Sequence, residues 1–201
     1  GLRRDLRASD VRALFIALAL AVAASTMIGF FLDRLDRGLT RQAGQLMGGD
    51  IKLEQGQPFD ESLYQTLRDA GLTLAEQVDM VSMISRGEAF QLASLKVIDD
   101  AYPLYGEVRV DLGDGQISQL PRGPEPGSVW IAPRLAQLLG VGVGDSVQVG
   151  QAELTVSGLI EREPDQSAGF SSFNPRLMMR IADLDATGLV RPGSRIEYEL
   201  L

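Results

Sequence analysis

The sequence predicts an α+β protein in which one long apolar helix precedes a mixed strand-and-helix body. Three observations predict it. Ala13 to Leu32 carry no charge and only Ser25 and Thr26 as polar side chains. "PFDESLYQTLRDAG" spaces its apolar residues as one face of a helix and ends in glycine. Beyond it, short runs alternate apolar and polar residues between glycines, the pattern of half-buried strands.

The leading stretch comes first. At about 1.5 Å per residue, its twenty residues span about 30 Å, the thickness of a bilayer's hydrocarbon core. A cleaved signal is the main rival, since four arginines precede the stretch and "AVA", Ala21 to Ala23, resembles a cleavage site; a buried helix is the other. Against the signal, the apolar run continues through Met27, Ile28, Phe30, Phe31 and Leu32, further than a signal core needs. As an anchor, the positive-inside rule places residues 1–12 in the cytoplasm and the remainder outside, in a bacterium the periplasm or the external face. Ala17, Ala21, Ser25 and Gly29 form a ladder of small residues on one helix face, a candidate surface for packing against other transmembrane helices. Six alanines among twenty residues make a chance ladder the competing explanation. Leu32, Leu35, Leu39, Ala43 and Leu46 then keep helical spacing up to Gly48 and Gly49, which predicts a stalk of about four turns over 33–49, about 22 Å long.

The body follows in order. "GGDIKLEQGQP" reads as a turn and a short strand with Ile51 and Leu53 on one face. The helix after it has Asp60 at its capping position, Leu63, Leu67 and Ala70 as its stripe, and Gly71 at its end. Two strands then meet near Arg86 and Gly87, with Phe90 and Leu92 on one side and Leu95 and Val97 on the other after a bulge. "YGEVRV" and "DGQIS" add a strand, a turn and a strand. "LPRGPEPGS", Leu120 to Ser128, gathers three prolines and two glycines and predicts a linker between subdomains at 50–120 and 121–201. Past it, Val129 and Ile131 make a strand. Pro133 opens a helix that turns Leu135, Leu138 and Leu139 inward and stops at Gly140, and the Val147/Val149 and Leu154/Val156 alternation gives a hairpin. These elements predict a strand-helix-strand layer and a small barrel-like β part.

Charge and composition narrow the function. Six arginines against four acids give +2 before Gly38, and the remainder carries −10, for a net charge of −8. Such an acidic body offers no footprint for nucleic acid. With no His and no Cys, no Ser-His-Asp or Cys-His site and no cysteine zinc site can be built. Gly140, Gly142 and Gly144 lack the G-x-G-x-x-G spacing of a dinucleotide loop, and no phosphate-loop sequence is present, so ATP hydrolysis is expected elsewhere. "DLGDGQ" lacks the alternating oxygen donors of a calcium loop, so neither cofactor nor metal is expected. Glu161, Glu163 and Asp165 alternate at a strand end, as solvated acids commonly do. "SAGFSSFNPRLMM" sets Phe170, Phe173, Leu177, Met178 and Met179 among small polar residues. Of these, Phe170, Phe173, Leu177 and Met178 are candidates for touching a hydrophobic cargo or partner, unless the segment covers its own barrel.

The arginine-rich start and span, "LMGGDIKLE", "LASLKVIDDAYPLYGEV", "GSVWIAPRLAQLLGVGVGDSVQVG", "LTVSGLIERE" and "FNPRLMMRIADLDATGLVRPGSRIEYELL" together resemble the extracytoplasmic core of FtsX/MacB-type ABC transporter permeases, in particular the YbbP-like branch. The resemblance covers nearly the whole chain. It implies a permease subunit of the bacterial inner membrane with a porter-like part and a small β part in the periplasm. It also implies a separate cytoplasmic ABC ATPase, contact with membrane lipids and further permease helices, a hydrophobic cargo such as a lipid or lipoprotein, and a periplasmic esterase partner. Family members cross the membrane several more times, so these 201 residues are expected to be an amino-terminal portion. A single-pass anchored sensor is the alternative, and an anchored hydrolase a weaker one.

Overall fold

The structure, a computed structural model, describes residues 13–32, 49–165, 173–191 and 193–201. The leader 1–12 and the expected stalk residues Leu35, Leu39, Ala43 and Leu46 lie outside the described residues. Helix α1 (Ala13–Leu32) is continuous, has a mean hydropathy of 2.3 and buries none of its side chains within the protein. Its Thr26 hydroxyl donates to the Val22 carbonyl one turn back at 2.8 Å, so this polar group needs no water.

The body is built on a hairpin of β2 (Glu76–Arg86) and β3 (Ala89–Ile98), preceded by β1 (Leu53–Gln55) and α2 (Glu61–Asp69). There follow β4 (Val108–Asp111), β5 (Ile117–Leu120), β6 (Ser128–Ile131), α3 (Pro133–Leu139), β7 (Ser146–Val149) and β8 (Ala152–Arg162). The chain closes with β9 (Arg176–Arg180), a 3-10 turn (Ile181–Asp183), α4 (Leu184–Thr187) and β10 (Ile196–Leu200). Pairing runs β2-β3-β9-β6-β8-β7 and back to β2, so six strands close a small barrel. Alternate residues fill it: Val78 and Ile84 from β2, Leu95 and Val97 from β3, Val129 and Ile131 from β6, Leu177 and Met179 from β9. The α3 helix adds Leu135, Ala136 and Leu139 to the same core.

Several details depart from the sequence expectations for physical reasons. The β2–β3 register is one-to-one from Gln77↔Ile98 to Arg86↔Ala89, so no bulge separates Phe90 and Leu92 from Leu95 and Val97; plain alternation puts them on opposite faces. The bulge lies instead in β8, where Ser157 has no partner between Val129↔Val156 and Trp130↔Gly158. It keeps Leu154, Val156 and Leu159 on the barrel side while turning Gly158 and Ile160 outward. There a Cβ on Gly158 would stand 2.6 Å from Val110 Cγ2 and 2.9 Å from Trp130 Cδ1, so only glycine fits. Leu138 is 48% exposed, because seven residues of α3 give just two turns and Leu135, Ala136 and Leu139 already occupy the inner face. Asp60 makes no side-chain cap on α2; its carbonyl accepts from Leu63 N instead.

The cut expected at Leu120 is not a spatial one. β10, from the end of the chain, inserts between β1 and β2, and β4 and β5 extend the sheet from β8, so both sequence halves interleave. The proline-rich linker is fastened: Gly123 and Pro124 are buried, and the Pro124 carbonyl accepts from Arg180 Nε at 2.6 Å. What emerges is an α+β body with a small barrel, carried in the same chain as an N-terminal apolar helix.

Leu135→Ala is expected to cost about 2–5 kcal/mol, because its side chain is fully buried in the barrel. Leu138→Ala is expected to change stability by less than about 0.5 kcal/mol. Denaturant unfolding of both variants checks the contrast, and equal losses would show that α3 is packed otherwise.

Candidate functional site

Among the described residues, the structure gathers functional chemistry on the face of α1, in an exposed apolar patch on the hairpin, and in a largely buried ionic network further along the same face. On α1, Ala17, Ala21, Ser25 and Gly29 fall on one face, and nothing lies within 4 Å of a Cβ built at Gly29. The small-residue face is therefore open.

The segment with candidate cargo contacts splits. Phe170 lies outside the described residues, and Phe173 is 77% exposed. Leu177 and Met178 are fully buried on β9, one in the barrel core and the other in a second cluster with Ile98, Tyr102, Trp130 and Ile160. Neither is available to a cargo, because β9 is held between β3 and β6 and both its faces are covered. What sequence reading missed is an apolar patch nearby. Val81, Met83, Phe90 and Leu92 share the outer face of the hairpin, Met83 directly opposite Leu92, and all four are at least 40% exposed. The alternation of Phe90 and Leu92 against Leu95 and Val97 contained that signal, but not which face would meet solvent. A recess of about 400 Å³ also opens where Leu67 of α2 faces Leu53, Leu200 and Ile51, with Tyr105 donating to Asp50 at 2.9 Å at its edge.

The same outer face carries the network. Lys96, with 1% of its surface exposed, donates to Asp165 Oδ2 at 2.6 Å and to Glu163 Oε2 at 3.2 Å, and its ammonium lies 4.5 Å from the centre of the Tyr102 ring. The Tyr102 hydroxyl donates to Asp165 Oδ1 at 2.6 Å. Arg176 donates to Glu163 Oε1 at 3.0 Å, and to Asp79 Oδ1 and Ser94 Oγ at 3.1 Å each. Gln77 links Asp79 to Glu199, which Lys52 approaches at 2.6 Å. Burial alone would push Asp165 up, but the Lys96 charge and the hydrogen bonds from Lys96 and Tyr102 outweigh it and hold the carboxyl below its usual range. Burial, helped by the charges of Asp165 and Glu163, drives the Tyr102 hydroxyl well above its usual value. Glu163 and Asp165, read from sequence as solvated acids, are thus interior ones. The lysine that buries them lies 67 and 69 residues away, beyond any spacing rule.

Glu54, Glu197 and Glu199 bring carboxylate oxygens within 4.8 Å of one another. The Lys52 ammonium already serves Glu199 and stands 3.5 Å from Glu54.

The family model of the MacB-like periplasmic core domain matches residues 14–197. A relative from Escherichia coli (strain K12), described as an uncharacterized ABC transporter permease YbbP, is 37% identical over 199 residues. The match takes in 97% of this chain and 23% of the relative, so the chain spans under a quarter of that protein's length. The crystal structure of the extracellular domain of the noncanonic ABC-type transporter YknZ from Gram-positive bacteria aligns with a TM-score of 0.50 at 13% identity, covering 71% of this chain and 72% of that one. That likeness is one of fold.

Removing one member of the network leaves buried charge unpaired. Lys96→Met is expected to cost about 3–5 kcal/mol of unfolding free energy. Arg109→Ala, which breaks an exposed pair with Glu161, is expected to cost less than about 1 kcal/mol. Denaturant titration of both variants decides whether the interior placement of Lys96 is correct.

Proposed function

Because the chain belongs to the MacB-like periplasmic core domain family, we propose that it serves as the membrane-entry helix and periplasmic body of an ABC transporter permease. In this reading α1 anchors the chain with its amino end in the cytoplasm. A separate ABC ATPase hydrolyses ATP there, and the motion reaches the body through residues 33–48. The observation that carries the reading is the union in one chain of an uncharged twenty-residue helix, exposed along its length, with a body of this family's fold. The lack of a phosphate loop is consistent with an ATPase on another chain.

The cargo is hydrophobic in this proposal, of the lipid or lipoprotein class. Support comes from the exposed side chains of Val81, Met83, Phe90 and Leu92, an apolar patch that an acidic water-facing body has no internal use for, and from the exposed Phe173. Ala17, Ala21, Ser25 and Gly29 take the role of the face that meets the remaining transmembrane helices and membrane lipids. A periplasmic esterase acting beside the body completes the proposal.

In the full-length permease, leucine at Ala17, Ala21, Ser25 and Gly29 together is expected to lower recovery of the ATPase with the solubilised complex by about tenfold, equivalent to about 1.4 kcal/mol. Thermal unfolding of the body should not change. Recovery at the native level would reject the packing role of this face.

A further inference from the structure

The network holds three carboxylates, Asp79, Glu163 and Asp165, against two cations, Lys96 and Arg176; Lys96, Glu163 and Asp165 are buried, while Asp79 and Arg176 keep 18% and 16% of their side chains exposed. An interior with an unbalanced charge is costly, and the usual resolution is uptake of a proton. We propose that Asp79 holds that proton, so that the seam joining β2, β3 and β9 tightens as the surrounding solution becomes more acidic.

The assignment follows from counting donors at each oxygen. Asp165 has the Lys96 ammonium on one oxygen and the Tyr102 hydroxyl on the other. Glu163 has Lys96 on one and Arg176 on the other. Asp79 has Arg176 on Oδ1, but Oδ2 receives only the neutral amide of Gln77, at 2.9 Å. The elements around it add negative charge or divide their positive charge with other acceptors. From β3, Lys96 stands opposite Asp79 in register, yet its hydrogen bonds go to Glu163 and Asp165. From β10, Glu197 is its register partner and Glu199 lies two register positions away on the same face, with Lys52 assigned to Glu199. From β9, Arg176 is shared with Glu163 and Ser94. The Gln77 Oε1 atom is itself buried without a donor, so acceptors exceed donors around Asp79.

Burial pushes the Asp79 carboxyl up, and the attraction of Arg176 and Lys96 does not cancel it. A raised folded value gives the folded chain more bound proton than the unfolded one. The resulting stability is complete below the ordinary carboxylate value of about 4 and is lost as pH rises through the folded value. Asp165, shifted down, acts oppositely: its contribution is present above that ordinary value and lost as pH falls through its folded one. Asp99 and Glu199 shift in the same direction as Asp79. A variant is therefore needed to isolate Asp79. If the body stands outside the cytoplasm, a clause that rests on the function proposed above, it meets the pH of the medium directly.

The experiment is thermal unfolding of the 201-residue chain in detergent at about pH 5 and about pH 8. Asp79→Asn, which is neutral at both, is expected to raise the Tm at the higher pH by about 3–5 °C. It is also expected to shrink the gap between the two conditions. An unchanged gap overturns the proposal. Should Asp79→Asn fail to fold, 13C carboxyl NMR of Asp99→Asn substitutes: an aspartate still titrating above the ordinary range supports the proposal, and none doing so overturns it. Both readouts leave the permease function untouched, so failure here and failure of that reading are separable.

Discussion

The body depends on one antiparallel register, the ten pairs from Gln77↔Ile98 to Arg86↔Ala89. Because side chains alternate with a period of two, this register decides which residues of β2 and β3 enter the barrel and which face outward. Leu95 and Val97 enter it; Lys96 and Ile98 do not. A slip of one residue would drive the Lys96 ammonium into the barrel core and turn Leu95 out. The two strands also carry much of the remaining sheet, since β2 pairs with β10 along its first half and with β7 near its end, while β3 carries β9. Barrel and outer layer therefore share their central pair, and neither closes without it.

That sharing explains what could be read from the sequence and what could not. Local signals were legible: the uncharged run Ala13–Leu32, the turn at Gly87, Pro133 and Gly140 bounding α3, and the Val147/Val149 alternation all appear as expected. Gly150, which the alternation does not single out, is fixed as glycine by a positive φ of 58° and by the Thr187 carbonyl, which a Cβ would meet at 2.2 Å. Failures cluster where the partner is distant in sequence. Pro124 looked like a free linker because Arg180, which binds it, comes 56 residues later. Leu177 and Met178 looked available because nothing local reveals that β9 lies between β3 and β6. Glu163 and Asp165 looked solvated because Lys96 belongs to another strand.

The network has a positional consequence as well as an electrostatic one. Glu163 and Asp165 follow β8, and Arg176 opens β9, so the chain on both sides of residues 166–172 is fastened to β3. Apolar packing could hold these two points, but it would not select their orientation. Hydrogen bonds with fixed donors on Lys96, Tyr102 and Arg176 do select it, at the cost of desolvating the charges of Lys96, Arg176, Glu163 and Asp165. The second cluster, with Tyr102, Trp130, Ile160 and Met178, shields the network from one side and supplies the low-polarity surroundings that make those bonds directional.

The helix α1 and the body call for different surroundings. None of the α1 side chains is covered within the described residues, and its leucines and phenylalanines are of the kind an apolar medium favours. The body has the reverse character, with a closed apolar interior and an acidic sequence that needs water around it. A removable signal could account for the first property alone. The family match, however, begins at residue 14, inside α1, and continues through β10 at residue 197. The apolar helix is thus as much a part of the family pattern as the strands are, and a chain that keeps both halves needs both solvents at once.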